Sequence, residues 1–178
     1  MVAGRPYAGG NGSNRDLWVL ELAPRPTPRP VLVTPFNGRS PFFSPDGEWL
    51  AYTSDETGRD EIYIRSLTPG GGRYVVSTDG GTEPIWSANG REMFYRNGDA
   101  VMSAAVQMAP TVSIGVPRMM FNGPYARESG GSGSLGYDVT RDGQRFLMIK
   151  QGNAEREASG SVPINVITGL QNRLRAAR

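Results

Sequence analysis

The chain contains no cysteine and no histidine. Without cysteine there are no disulfides, no thiolate metal sites and no thiol nucleophile. Without histidine the commonest general base and the commonest zinc ligand are gone. A Ser-His-Asp triad therefore cannot be assembled from these residues. Lysine is nearly absent too, Lys150 being the only one. No apolar run approaches the ~20 residues that span a bilayer, so no membrane segment is expected. No charged start leads into an apolar stretch, so no signal peptide is expected in these residues. Nineteen basic against 17 acidic residues give a net charge of +2. So small an excess says little about partners.

What is abundant is turn-forming residues. With Gly 24 and Pro 14, about a fifth of the chain is one or the other, against a usual share of roughly 12%. Hydrophobic residues make up only 38%, which suits a core divided among many short strands.

One stretch organises the rest: Phe42-Phe43-Ser44-Pro45-Asp46-Gly47-Glu48-Trp49-Leu50-Ala51-Tyr52. It has the pattern strand, tight turn, strand. Asp can bond its own backbone, and Gly accepts the positive φ that such a turn needs. The stretch recurs at Trp86-Ser87-Ala88-Asn89-Gly90, followed by Glu92-Met93-Phe94-Tyr95, and at Val139-Thr140-Arg141-Asp142-Gly143, followed by Phe146-Leu147-Met148. Asp46, Asn89 and Asp142 are 43 and then 53 residues apart. A second column aligns Arg15-Asp16, Arg59-Asp60 and Gly98-Asp99 ahead of their strands, in steps of 44 and 39. A period near 40–50 residues with several strands in each is the mark of a β-propeller.

The predicted organisation is as follows. Residues 1–14 are a flexible N-terminal segment; their Asn11-Gly12-Ser13 sequon is a chance match in a Gly-rich turn. A partial propeller fills 15–176, with repeats at about 15–38, 39–80, 81–122 and 134–168. The fold class is all-β, with about three to three and a half four-stranded antiparallel blades. A leading pair of strands, 17–22 and 31–34, flanks a proline-spaced link at Pro24, Pro26, Pro28 and Pro30. Residues 108–116 form a surface connection, and 151–160 a polar stretch. The chain closes on a strand ending at Ile167 and a short C-terminal helix over 168–176, where Leu170 and Leu174 share one face. Arg173, Arg175 and Arg178 are its solvated end, cations that suit a helix C-terminus.

Phe43-Ser44-Pro45-Asp46-Gly47, Trp49-Leu50-Ala51-Tyr52 and Ile62-Tyr63-Ile64 resemble the WD-like repeat of TolB-type β-propellers. The ending, Ile164-Asn165-Val166-Ile167 and a Leu/Arg helix, resembles the terminus of bacterial propellers attached to serine/threonine protein kinases. The resemblance covers roughly 15–175. It implies the C-terminal part of a propeller of six or seven blades, in a periplasmic or extracytoplasmic setting. It also implies repeats whose role is structural.

Little in the sequence points to catalytic chemistry. Gly131-Ser132-Gly133-Ser134-Leu135-Gly136 matches G-x-G-x-x-G, but no helix follows and no kinase motif accompanies it. Ser132 and Ser134 lie in that loop without a G-x-S-x-G elbow. Asp55-Glu56 and Asp60-Glu61 flank Arg59 on a hairpin tip, without the spacing of an EF-hand. Trp18, Trp49, Tyr52, Tyr63, Trp86 and Tyr95 fall on strands and suit packing between blades. A nucleic-acid platform would interleave such aromatics with basic residues. No catalytic residue, cofactor, metal or nucleic-acid partner is expected.

Strand connectivity places the second-to-third-strand loops and the blade-to-blade links on one face, with the Asp-Gly turns opposite. The expected binding residues on that loop face are Arg39, Asp55, Glu56, Arg59, Asp60, Glu83 and Asp99. The expected function is a non-catalytic interaction or sensor module for a protein or small ligand, within a larger receptor-type kinase or TolB-like protein. Two alternatives are a propeller gating a serine hydrolase whose catalytic domain lies elsewhere, and a structural piece that completes a ring as a homodimer through open blade edges.

Overall fold

The computed structural model describes residues 2–6, 15–22, 25–127, 135–150 and 165–167. Among the described residues fifteen strands form four antiparallel sheets, one per blade. Blade one is β1 (Val2–Pro6), β2 (Arg15–Glu21) and β3 (Thr27–Leu32). Blade two runs β4 (Gly38–Phe43), β5 (Trp49–Ser54), β6 (Glu61–Ser66) and β7 (Arg73–Val75). Blade three holds β8 (Thr82–Trp86), β9 (Glu92–Asn97), β10 (Ala100–Gln107), β11 (Ser113–Ile114) and β12 (Arg118–Asn122). Blade four is β13 (Tyr137–Val139), β14 (Phe146–Met148) and β15 (Asn165–Ile167). Two complete blades flanked by two three-stranded ones make the expected partial propeller.

In blades two, three and four the first turn is built from the same bonds. Gly47 N–H donates to Ser44 O at 2.9 Å, closing a tight turn, and Gly47 has φ +77°. The Ser44 hydroxyl bonds the Asp46 carboxylate at 2.5 Å, and that carboxylate accepts from Glu48 N–H at 3.0 Å. Ser87 with Asn89, and Thr140 with Asp142, repeat this arrangement. Five consecutive residues supply all these partners, so the turn forms wherever the local sequence recurs.

The core is three clusters, one between each pair of neighbouring blades. Leu17, Val19, Val31 and Leu32 of blade one meet Leu50, Tyr52 and Tyr63 of blade two. Ala51, Ile62, Ile64 and Val76 meet Trp86, Met93, Tyr95, Ala104 and Val106. Ile85, Phe94, Val101 and Met120 meet Tyr137, Phe146 and Met148. The period-2 alternation of each strand thus serves both faces of a sheet: Leu50 and Tyr52 look back, Ala51 looks forward. Burying each large apolar side chain stabilises by roughly 1.5–3 kcal/mol.

Several details differ from the sequence expectation. β1 lies within 1–14, the stretch expected to be flexible, and pairs with β2 from Val2↔Val19 to Pro6↔Arg15. It takes the place of a second strand beside the leading pair. The proline-spaced link enters β3, where Pro28 and Pro30 sit opposite Leu20 and Trp18. Proline is tolerated there because β3 is an edge strand. The connection at 108–116 contains β11, which shares the outer side of β10 with β12. The second repeat column is shifted by one residue. A Cβ on Gly38 would meet Leu17, and one on Gly81 would meet Ile62. Leu17 therefore matches Ile62, not Glu61.

The innermost strands β4 and β8 each skip a register step, between Arg39 and Phe42 and between Thr82 and Ile85. Ser40 and Glu83 sit in these bulges with φ +48° and +56°, each just before a proline. Bulges re-aim side chains, and this one turns Glu83 into the protein. The Asn11 sequon, the loop serines Ser132 and Ser134, the stretch 151–160 and the C-terminal helix with its arginines lie outside the described residues.

Candidate functional site

The pairing registers put the expected loops at one end of the blades. Ser54 lies opposite both Gly38 and Glu61, so the ends of β4, β5 and β6 meet there. Asn97 opposite Ala100 puts the 97–99 turn at the matching end of blade three. The Asp46, Asn89 and Asp142 turns lie at the other end.

Every one of the seven expected residues has a partner within the protein. Arg39 at the start of β4 is ion-paired with Asp60. Asp55 accepts from Asn37 N–H at 2.8 Å and from Asn37 Nδ2 at 2.7 Å. Burial pushes the Asp55 carboxyl up, but the two Asn37 donors and the nearby Arg39 hold it below its usual range. Arg59 ties blade two to the link that follows it. Its Nε pairs with Glu61 at 2.6 Å, and its Nη2 donates to Thr78 O at 2.7 Å in the link to blade three. Asp79 stands 3.9 Å from the same guanidinium.

Glu61 is the buried centre of this network. It accepts from the Ser77 hydroxyl and from Gly80 N–H at 3.1 Å, so the link 77–81 is laced to β6. Asn97 of blade three donates to Asp79 O at 3.2 Å.

Glu83 is buried and joins blade three to blade four. Its Oε2 accepts from Gly136 N–H at 2.6 Å, while its own carbonyl accepts from the Tyr137 hydroxyl at 2.9 Å. Beside it lies Arg96, the largest fully buried side chain among the described residues. Burial lowers the Arg96 pKa, and the charges of Glu83 and Asp99 oppose that shift. Asp99 itself is exposed and pairs with Arg127 at 3.8 Å.

Glu56 goes elsewhere. It holds Arg73 at 2.5 Å, and Arg73 lies over the Tyr63 ring, 5.0 Å from its centroid. Tyr63 stacks on Tyr52 at 5.6 Å.

The structure therefore brings Arg39, Asp55 and Asp60 together, turns Arg59 toward Glu61 and the link to blade three, sets Glu83 and Asp99 around Arg96, and pairs Glu56 with Arg73. The expected loop face took in Asp79 within 78–83, and Glu61 was read only as half of the Asp60-Glu61 pair; sequence reasoning missed Asn37, Arg96 and Arg127. Glu61 left a signal, a carboxylate heading an apolar strand. Arg96, an arginine closing the apolar run Met93-Phe94-Tyr95, left another. Among the described residues no group of three or more carboxylates could hold a metal ion.

No family model matches the chain, and no curated protein matches it. Solved structures do. A protein assigned as a TolB from Agrobacterium tumefaciens is 15% identical, with a TM-score of 0.55 over 83% of this chain and 48% of its own. An oligogalacturonate lyase from Vibrio parahaemolyticus is 11% identical, with a TM-score of 0.50 over 83% of this chain and 36% of its own. A protein assigned as a 6-phosphogluconolactonase from Bacteroides uniformis is 15% identical, with a TM-score of 0.50 over 88% of this chain and 49% of its own. The fold is a TolB-like β-propeller, and the chain spans about half the length of these proteins or less. What they act on is set by their own sites.

Proposed function

We propose that the chain is a non-catalytic interaction or sensor module that binds a protein or small ligand on its loop face. One observation carries this reading. The face presents exposed charges of both signs, Arg59, Asp79, Asp99 and Arg127, from adjoining blades. The loops bearing Arg59 and Asp79 are anchored by bonds to buried Glu61. Charges fixed in this way lose little conformational freedom on binding. Rim charges of alternating sign favour partner choice and orientation over raw affinity. The ligand is accordingly polar, with charge complementary to this alternation. The module belongs to a larger receptor-type kinase or TolB-like protein. Support for that part is the resemblance of the repeats and the half-length match to solved propellers.

The test is a binding screen of the purified chain against short charged peptides and anionic and cationic small molecules. Hits should weaken about tenfold in both Arg59→Ala and Asp99→Ala, the ~1.4 kcal/mol of one charged contact, with circular dichroism unchanged. Hits indifferent to both substitutions would move the site off this face. Turnover of any ligand would overturn the non-catalytic reading.

A further inference from the structure

Four Asn-Gly steps fall among the described residues: Asn37-Gly38, Asn89-Gly90, Asn97-Gly98 and Asn122-Gly123. An asparagine side-chain amide can be attacked by the backbone nitrogen that follows it. Glycine in the second place leaves that approach open, because it has no Cβ. The nitrogen must first give up its proton, and a hydrogen bond from its N–H to a carbonyl holds the proton in place. What each N–H meets in the fold therefore separates steps that are identical in sequence.

Three of the four are held. Asn37 is fixed by its two bonds to Asp55, and Gly38 is packed so closely that a Cβ there would stand 2.8 Å from Leu17 Cγ. In the blade-three turn the Asn89 Oδ1 accepts from the Ser87 hydroxyl and from Arg91 N–H, both at 2.9 Å, while Gly90 N–H donates to Ser87 O at 2.9 Å. Gly123 N–H donates to Asp99 O at 3.2 Å. Gly98 differs. It is exposed, with φ +57° and open space where a Cβ would stand, and its N–H meets no acceptor among the described residues. The one bond of the Asn97 side chain is the Nδ2 donation to Asp79 O at 3.2 Å, which leaves Oδ1 and Cγ unencumbered.

We infer that Asn97 is a site of spontaneous covalent modification, converted through a succinimide to aspartate or isoaspartate. The Gly98 nitrogen loses its proton and bonds to Asn97 Cγ. The Cγ–Nδ2 bond breaks, and Nδ2 leaves as ammonia with that proton. Water then opens the ring. Cleavage at Cγ restores the backbone and leaves aspartate. Cleavage at the Asn97 carbonyl carbon leaves isoaspartate, with one more carbon in the main chain. Water is the only co-reactant, and nothing is oxidised or reduced.

The position gives the change a consequence. Asn97 lies on the loop face, where Arg59, Asp79, Asp99 and Arg127 are exposed. A carboxylate at 97 tips this face toward negative charge. It also loses the donor that ties blade three to Asp79 O in the preceding link. Gly98 O is the hydrogen-bond acceptor of buried Arg96, whose Nε and Nη1 have no other among the described residues. An extra backbone carbon at 97 shifts that acceptor. The step is therefore a one-way change in both the charge and the anchoring of the loop face.

The experiment follows the purified 178-residue chain, folded at neutral pH, by tryptic digestion and mass spectrometry over time. Cleavage after Arg39, Arg73, Arg91, Arg96, Arg118 and Arg127 puts Asn37, Asn89, Asn97 and Asn122 in four separate peptides. The peptide 97–118 should exchange NH for O about tenfold faster than 74–91, the ratio that one net hydrogen bond on the reacting amide corresponds to. In urea the four steps should convert at similar rates, since only the fold distinguishes them. Asn97→Gln, whose longer side chain would have to close a larger ring, should abolish the gain in 97–118 with circular dichroism unchanged. Asn89 keeping pace with Asn97 in the folded chain would overturn the inference. So would a folded chain whose 97–118 peptide stays unmodified while the unfolded chain converts, or a gain in 97–118 that survives Asn97→Gln. The readout is covalent, so the ligand screen stands or falls separately.

Discussion

Glu83 on β8 and Gly136 ahead of β13 are joined across two blades by a 2.6 Å hydrogen bond from the Gly136 N–H to the Glu83 carboxylate. The bond spans 53 residues, the length of that repeat. Glu83 reaches it only because the bulge in β8 holds its backbone at φ +56°. A Cβ on Gly136 would stand 3.1 Å from the same carboxylate and 2.8 Å from Ala126 O. The pair is therefore matched in both chemistry and space.

Glu83→Ala should destabilise the chain by about 2–4 kcal/mol. It leaves a buried N–H unpaired and removes the carboxylate that compensates the Arg96 charge. Glu83→Gln keeps an acceptor for Gly136 and should cost less. Urea unfolding midpoints compare the two. An alanine variant as stable as the parent would mean that the bond contributes nothing net.

Alkaline unfolding should be steep. Burial pushes the Tyr63 phenol up to about 12, with Glu56 adding to it, and the Tyr95 phenol likewise, with Glu61 and Asp79 adding. The unfolded chain releases these protons near 10.0. Their contribution to stability is therefore complete below pH 10 and is lost as pH rises through about 12. Phenolate absorbance and circular dichroism should change together within that window. Ionisation of these tyrosines with the sheets intact would contradict it.

Gly38 and Gly81 should resist substitution for a packing reason. A Cβ on Gly81 would lie 2.7 Å from Ile62 Cγ1 and 3.0 Å from Tyr95 Cδ2, and one on Gly38 would lie 2.8 Å from Leu17 Cγ. Gly38→Ala and Gly81→Ala should each cost about 1–3 kcal/mol by overpacking. Gly98→Asn, at φ +57° with open space around it, should cost under about 1 kcal/mol because Asn tolerates that conformation. Thermal melts of the three variants rank them. Equal stability of all three would remove the packing argument.

Much of this was legible in the chain because it is local. Ser44, Asp46 and Gly47 close their turn without outside help, so each recurrence announced a strand pair and the recurrences announced the propeller. The alternation Leu50-Ala51-Tyr52 carried the two-faced packing in the same way. Which loops share a face followed from connectivity alone, and the registers at Ser54 and Asn97 agree with it.

The candidate site was less legible. Its seven residues were chosen as free loop charges, yet each meets a partner that sequence distance conceals. Glu56 meets Arg73 across 17 residues, and Arg39 meets Asp60 across 21. The one-residue shift of β2 was hidden for a related reason. Strand parity is fixed by Leu17 packing on Gly38, a contact made only when two blades stack.

The sequence by itself determined the turns, the strands, their period and the absence of thiol and imidazole chemistry, since each depends on residues a few positions apart or on composition. Tertiary structure alone decided which charges stay exposed and where Glu83 and Arg96 are buried. Those outcomes depend on which blade faces meet, and blade faces meet only once the whole array has stacked.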